Sequence, residues 1–375
     1  MRVVFEKRLE VPRVALILVP IVSLLLALLF GAILLAAVGA PPLETYRAML
    51  VGAFGSSYAL SETLVKAIPL MLTGLAVSIA FRMLFWNIGA EGQLAMGGFA
   101  AAGIALFGPP AFPWIPQALW LPLIIVGGFL VGALWGLIPA MLKAYLRVNE
   151  IITTLMFNYI AILWVEYLFY GPWKDPKGFG FPGTAPFPEY TWLPRLVGRV
   201  HIGLLFALVA AFAIWLILGR TKWGYEIRLI GENPAAARYA GISISRNILL
   251  VMILSGGLAA LAGVTEVTGI SHRLQQGLTV GNGFTAIIVA WLAKLNPWGV
   301  LLVAFFLAGL LVGGDQIQIT MGLPASMALV LQGAIFFFIL GGDIFTRYRL
   351  RLIRTGPAVI APPAATIEQP ETASR

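Results

Sequence analysis

Apolar residues along this chain come in long blocks rather than in alternation. Windows near residues 14–38, 60–81, 85–107, 118–142, 150–170, 202–218, 247–269, 281–293, 299–312 and 324–342 hold few ionisable side chains and are bounded by charges, Pro or Gly. About 20 apolar residues in a helix cross the hydrocarbon of a bilayer, and in lipid the backbone must satisfy its own hydrogen bonds. The pattern therefore predicts an all-α membrane protein, a polytopic bundle of about ten transmembrane helices. The windows at 281–293 and 299–312 are short, which implies tilt or a re-entrant pair. Either way the count is even and both ends lie on one side.

The first window follows basic residues from Arg2 to Arg13 and ends in AAVGA, like a cleavable leader. A leader's apolar core spans about 7 to 15 residues, whereas this window runs for 25, so a retained first span is expected. With the N-terminus inside, 18 of the 25 Lys and Arg residues fall on the cytoplasmic side. The positive-inside rule thus gives N-in, C-in. Residues 1–13 are read as a cytoplasmic segment and 14–346 as a single transmembrane domain. Residues 347–375 are read as a tail, first basic and facing anionic headgroups, then too poor in apolar surface to fold.

Composition agrees: 60% of residues are hydrophobic and only 11% charged, against about a quarter charged in soluble domains. The net charge of +9 belongs to topology rather than to a nucleic-acid surface. Cysteine is absent and the two histidines, His201 and His272, stand far apart in sequence. Disulfides, thiolate metal sites and a cysteine nucleophile are excluded, and no metal site is expected.

Two loops are long. The external one, 171–201, holds six prolines with Trp173, Phe179, Phe181, Phe187, Tyr190 and Trp192. It reads either as a lid on its own bundle or as a dock for an external protein. In the cytoplasmic loop, 219–246, lies GENPAAARYAG. Asn233 is a good N-cap, Pro234 suits the first helical position, and Gly241 can take the left-handed turn that ends a helix. The helix between them, about seven residues, is marginal alone in water, so its stability is expected to come from packing against another body. Glu232, Arg238 and Tyr239 give it a polar and aromatic face. Resting on headgroups is the plainer alternative.

These residues also carry a resemblance. GYEIRLIGENPAAARYAGISISRNILLVMILSGGLAALAG (224–263) resembles the coupling loop and following helix of inner-membrane permeases of ABC importers in the ribose and simple-sugar group. NIGAEGQ (87–93) is similar to a motif of the branch that imports nucleosides, and GNGFTAIIVAWLAKLNPWG (281–299) to a late motif of the family. The chain departs from the family at Trp291, and at Leu292 and Ala293 where glycines are usual. The resemblance implies that Glu232, Asn233, Pro234, Arg238, Tyr239 and Gly241 couple to a separate ABC-type ATPase. It further implies a second permease subunit, identical or paralogous, an external substrate-binding lipoprotein, and a multi-pass location in the bacterial cytoplasmic membrane. The chain lacks GxxxxGK[ST], so ATP and Mg²⁺ belong on the partner and no cofactor or catalytic residue is expected here.

Polar groups at membrane depth are the candidates for the substrate path: Asn87, Glu91, Gln93, Asn158, Glu266 and Asn282. A carboxylate mid-span costs at least about 2.5 kcal/mol, so Glu91 should not meet lipid. On a straight helix Asn87 and Glu91 share a face while Gln93 points about 160° from Glu91. Gly89, Gly92, Gly97 and Gly98 make a break there the alternative. Tying neighbouring helices together is the structural reading of Glu91 and Asn87. Glu62 and Lys66, four apart, read as an intrahelical pair. Gly128, Gly132 and Gly136, with Gly256, Ala260 and Gly263, mark close helix packing, either within the chain or against a second permease.

The expected function is the translocation subunit of an ATP-driven importer of nucleosides or related sugars. An ion-coupled secondary transporter of a small polar solute is the alternative, using Glu91 but leaving the capped loop unexplained. An intramembrane enzyme fits poorly, since no acid, base and nucleophile occur at workable spacing.

Overall fold

The computed structural model describes the backbone of residues 2–7, 13–324 and 326–353, and the side chains between 18 and 342 apart from Pro20 and Ala325. The expected unfolded tail beyond residue 353 lies outside the described residues. Thirteen helices appear in chain order among them: α1 (Arg13–Ala37), α2 (Pro42–Phe54), α3 (Ser57–Arg82), α4 (Ala90–Ala111), α5 (Gln117–Leu146), α6 (Glu150–Tyr170), α7 (Gly203–Arg220), α8 (Lys222–Glu232), α9 (Pro234–Tyr239), α10 (Ile244–Glu266), α11 (Asn282–Leu292), α12 (Pro297–Met321) and α13 (Ser326–Arg347). A π turn, Val267–Ser271, prolongs α10.

Seven helices (α3 to α7, α10 with its π turn, and α12) are long and apolar enough to cross a membrane, and α1 with α2, bent by 114°, makes up to eight. Three boundaries correct the sequence reading. The window at 85–107 starts as a helix only at Ala90, because residues 83–89 are not helical. The window at 299–312 is the middle of the 25-residue α12 and is not short. Between α1 and α3, where no helix was expected, α2 starts at Pro42, whose fixed φ suits a first helical position.

The bundle is built around α3, with 89% of its apolar window buried, packed on α10, α12, α11 and α7. Glycine sets the closest approaches. A Cβ at Gly132 would collide with Ala260 and the Gly256 carbonyl, one at Gly97 with Ala260, and one at Gly263 with the Leu94 carbonyl. The small-residue stripes of α5 and α10 therefore meet each other and α4 inside this chain.

The segment 171–201 divides in two. Its later part is stitched to the turn after α10: Thr184 N–H donates to Leu274 O (2.8 Å), Phe187 N–H to His272 O (2.8 Å) and Leu193 N–H to Thr268 O (3.0 Å). Phe187 is buried, while Phe179 and Phe181 near the tip are 102% and 77% exposed. The indole of Trp192 stacks on His272 with ring centres 3.9 Å apart. His201, in the hairpin of β2 (Arg195–Val197) and β3 (Val200–His201), is wholly buried. Its Nδ1 accepts from the Gly203 N–H at 3.2 Å. Loss of solvent, aided by the neighbouring His272, pushes its pKa down to about 4. Two further strands, β1 (Arg2–Lys7) and β4 (Tyr348–Ile353), the second taken from the expected tail, pair antiparallel and bring the two ends of the described chain together.

Candidate functional site

The break before α4 is where Asn87, Glu91 and Gln93 find their partners. α4 starts on Gly89 and α11 on Gly281, and neither N-cap residue offers a side chain to its own first turn. Free N–H groups at a helix start are costly away from water. Both starts borrow their caps from other helices. Asn158, on α6, accepts from Gly92 N–H at 2.7 Å and donates to Ile88 O at 2.7 Å. Glu91, on α4, accepts from Gly281 N–H at 2.8 Å with one carboxyl oxygen and from Gly283 N–H with the other. Its negative charge thereby meets the positive end of α11. A Cβ at Gly283 would run into the backbone at Glu91, so glycine allows this approach. Two backbone donors and a helix start thus compensate the buried carboxylate of Glu91.

Asn87 and Gln93, buried to 0% and 1% exposure, face one another across the break. Asn87 Nδ2 donates to Gln93 Oε1 and to Ser255 Oγ, each at 3.0 Å. Ser255 Oγ donates in turn to Ala76 O at 2.6 Å, so α3, α4 and α10 meet in one knot. Because Asn87 lies outside the helix, it does not share a face with Glu91, and the unwound strand is what lets it reach Gln93. Glu266 is the last residue of α10, and Asn282 opens α11 beside the borrowed cap. The structure thus brings Asn87, Gln93 and Ser255 together and puts Glu91 and Asn158 beside them, while Glu266 stands apart. Ser255, Gly281 and Gly283 lie inside the stretches that carry the resemblance but were given no role of their own, since a hydroxyl on an apolar helix and a glycine pair carry no local signal of their partner.

The loop 219–246 carries two helices rather than one. Thr221 Oγ1 caps α8 by accepting from Gly224 N–H at 3.0 Å, and Ile227 and Ile230, three apart, are buried. That spacing and the Thr before it were the overlooked signals. In α9, Asn233 Oδ1 accepts from Ala235 and Ala236 N–H at 3.1 and 3.0 Å. Pro234 is its first residue and Gly241 follows it with φ +76°. Ala237 is buried, whereas Glu232, Arg238 and Tyr239 are exposed, Tyr239 at 97%. Two contacts carry α8 to the membrane part. Gly231 lies against the backbone of Arg82 and Met83, and Asn247 Nδ2 at the base of α10 donates to Glu226 Oε2 at 3.0 Å. Next to them Trp86, from the break, stacks on Trp291 of α11 at 5.7 Å, with Phe81 4.9 Å from Trp86. The departure from family pattern at Trp291 is thus filled by an aromatic partner of the chain's own.

Glu62 and Lys66 do not pair with each other. Glu62 binds Arg199 at 2.7 Å and Lys66 faces Asp315 at 3.9 Å.

Residues 59–340 match the family model of the branched-chain amino acid transport system / permease component. The chain belongs to this permease family. The permease is 36% identical to the glucose ABC transporter permease protein TsgB13 of Haloferax volcanii, over 88% of this chain and 89% of that one. It is 35% identical to the guanosine ABC transporter permease protein NupP of Bacillus subtilis, over 88% and 94%. With the nucleoside ABC transporter permease protein NupB of Lactococcus lactis the identity is 32%, over 86% and 90%.

Proposed function

We propose that this permease is the translocation subunit of an ATP-binding-cassette importer for nucleosides or related simple sugars. The relatives named for glucose, guanosine and nucleosides support that cargo class. The observation that carries the mechanism is α9: a six-residue helix with both ends capped, one buried anchor at Ala237, and its remaining face bare. A helix this short needs a partner to hold it, and a cleft on a separate ATPase fits that need. Glu232, Asn233, Pro234, Arg238, Tyr239 and Gly241 form the coupling surface. Hydrolysis of ATP with Mg²⁺ takes place on that partner, and this chain contributes no catalytic residue.

Movement of α9 travels through α8 to the end of α3 and the base of α10. Both lead to the Asn87–Gln93–Ser255 knot and the break beside it. Asn87, Glu91, Gln93, Asn158, Glu266 and Asn282 would touch cargo in states where the borrowed caps at α4 and α11 let go; in the arrangement described, the first four spend their hydrogen bonds on one another, on Ser255 and on backbone. We place the chain as a multi-pass protein of the bacterial cytoplasmic membrane with both ends inside. Its ten crossings are α1, α3 to α7, α10, the segment 272–292 as a span half unwound and half helical, α12 and α13. A second permease, identical or paralogous, completes the path, and an external lipoprotein delivers the cargo. Proteoliposomes test this reading: uptake of uridine or glucose should need the ATPases and ATP. Uphill uptake by this chain alone on an ion gradient would replace it with secondary transport.

A further inference from the structure

A cleft of about 790 Å³ opens between α2, the first half of α3 and the last part of α12. Glu44, Arg47, Glu62, Lys66, Asp315 and Gln316 line it. Ionisable side chains within spanning segments avoid lipid and face water or the bundle interior. Lys66 and Asp315 are 51% and 55% exposed, so the cleft holds water or solute rather than acyl chains. Both signs are interleaved on its walls: Glu44, Glu62 and Asp315 stand with Arg47 and Lys66, and Glu62 is held by Arg199. Interleaved charges give the cleft no strong single-sign field to draw in an ion. A neutral polar solute loses less hydration on entering it than an ion does. The volume suits a small molecule, since such sites span about 300 to 1,000 Å³.

The Lys66–Asp315 pair is open. Its separation of 3.9 Å exceeds the roughly 2.7 to 2.9 Å of a charge-assisted hydrogen bond, which leaves ammonium donors and carboxylate acceptors with free capacity. Two hydroxyls on adjacent carbons fit that capacity, one accepting from Lys66 and the other donating to Asp315. Gln316 adds an amide beside them. We propose that this cleft is a binding site for the vicinal diol of a neutral polyhydroxylated solute, held between Lys66 and Asp315. The inference rests on the importer reading and places a site away from the Asn87–Glu91 cluster.

The chain contains no cysteine, so Ile319→Cys, on the cleft wall at a position 80% exposed, supplies a lone reporter thiol. In the complete complex, labelling by a membrane-impermeant maleimide is followed with uridine, adenosine or D-glucose as probe. 2′,3′-Dideoxyuridine and uridine 5′-monophosphate serve as comparators. At least one diol probe should slow labelling and both comparators should not. Asp315→Asn and Lys66→Gln should each raise the concentration for half protection by about tenfold or more, while Lys66→Arg keeps protection and shows that the cleft remains folded. Absence of protection by every diol probe, equal protection by the dideoxy compound, or unchanged protection in Asp315→Asn and Lys66→Gln would overturn the site. ATP-driven uptake is measured in parallel. Uptake without protection discards this site and leaves the importer; protection without any ATP-driven uptake keeps the site and discards the importer.

Discussion

Replacing Glu91 by Gln isolates the borrowed cap at α11. Both carboxyl oxygens accept backbone N–H groups, from Gly281 and Gly283. An amide can accept only one of them and points its NH₂ group at the other, so a donor meets a donor. One charge-assisted hydrogen bond, about 1.5–3 kcal/mol, is lost outright, and the helix start loses a compensating charge worth about 0.3–1 kcal/mol. The local cost is thus about 3 kcal/mol, which by 1.4 kcal/mol per decade is about a hundredfold in the opening of the first turn of α11. Hydrogen exchange of the permease complex, read on peptides covering 281–285, should accelerate by about that factor, while peptides from α5 stay unchanged. Uptake should fall while the ATPases still copurify. Exchange within about threefold of the parent would refute the idea that Glu91 holds this helix in place. Normal uptake would confine the residue to scaffolding.

Other perturbations address separate parts. Arg238→Glu with Gly241→Val inverts an exposed charge and puts a branched side chain where φ is +76°; the chain should reach the membrane but lose its ATPases on copurification. Gly256→Val drives side-chain atoms into the Gly132 carbonyl and should cost about 1–3 kcal/mol. That cost should appear as a lower unfolding temperature in detergent, whereas Gly333→Ala, with nothing within 4 Å, should not change it. For His201 the folded pKa, about 4, lies below the ordinary 6.5. Between those values the unfolded chain binds more protons, so stability falls as pH drops through that window, by up to ~3 kcal/mol. Thermal unfolding at about pH 7 and pH 5 should show a larger loss for the parent than for His201→Phe; equal losses would contradict the burial argument.

Local signals were legible in the sequence and distant ones were not. The caps of α9 could be read because Asn233, Pro234 and Gly241 lie within nine residues of one another and each acts on its own turn. The break near residue 87 followed from a conflict of directions among Asn87, Glu91 and Gln93. The target of Glu91 lay 190 residues away, at a helix start whose own residues carry no capping side chain, and no periodicity encodes that distance. Glu62 and Lys66 fit the helical spacing rule, yet a partner across space won each of them. The amphipathic spacing of α8 was present but short, and the start of α2 was hidden among prolines that also read as a turn.

The pairing of first and last helices bears on how the molecule is made. α1 packs mainly on α13, with Phe30 6.0 Å from Phe338 and Gly342 leaving room for Ser23. Its earlier neighbour is α2, through Tyr46 Oη donating to Leu28 O at 2.7 Å. A ribosome must therefore make everything from α2 to α13 before α1 meets its main mate. Until then α1 waits among acyl chains, and the apolar surface of Leu25, Leu29 and Ile33, still more than half exposed in the finished bundle, makes that wait tolerable. Docking of α13 is the act that closes the assembly.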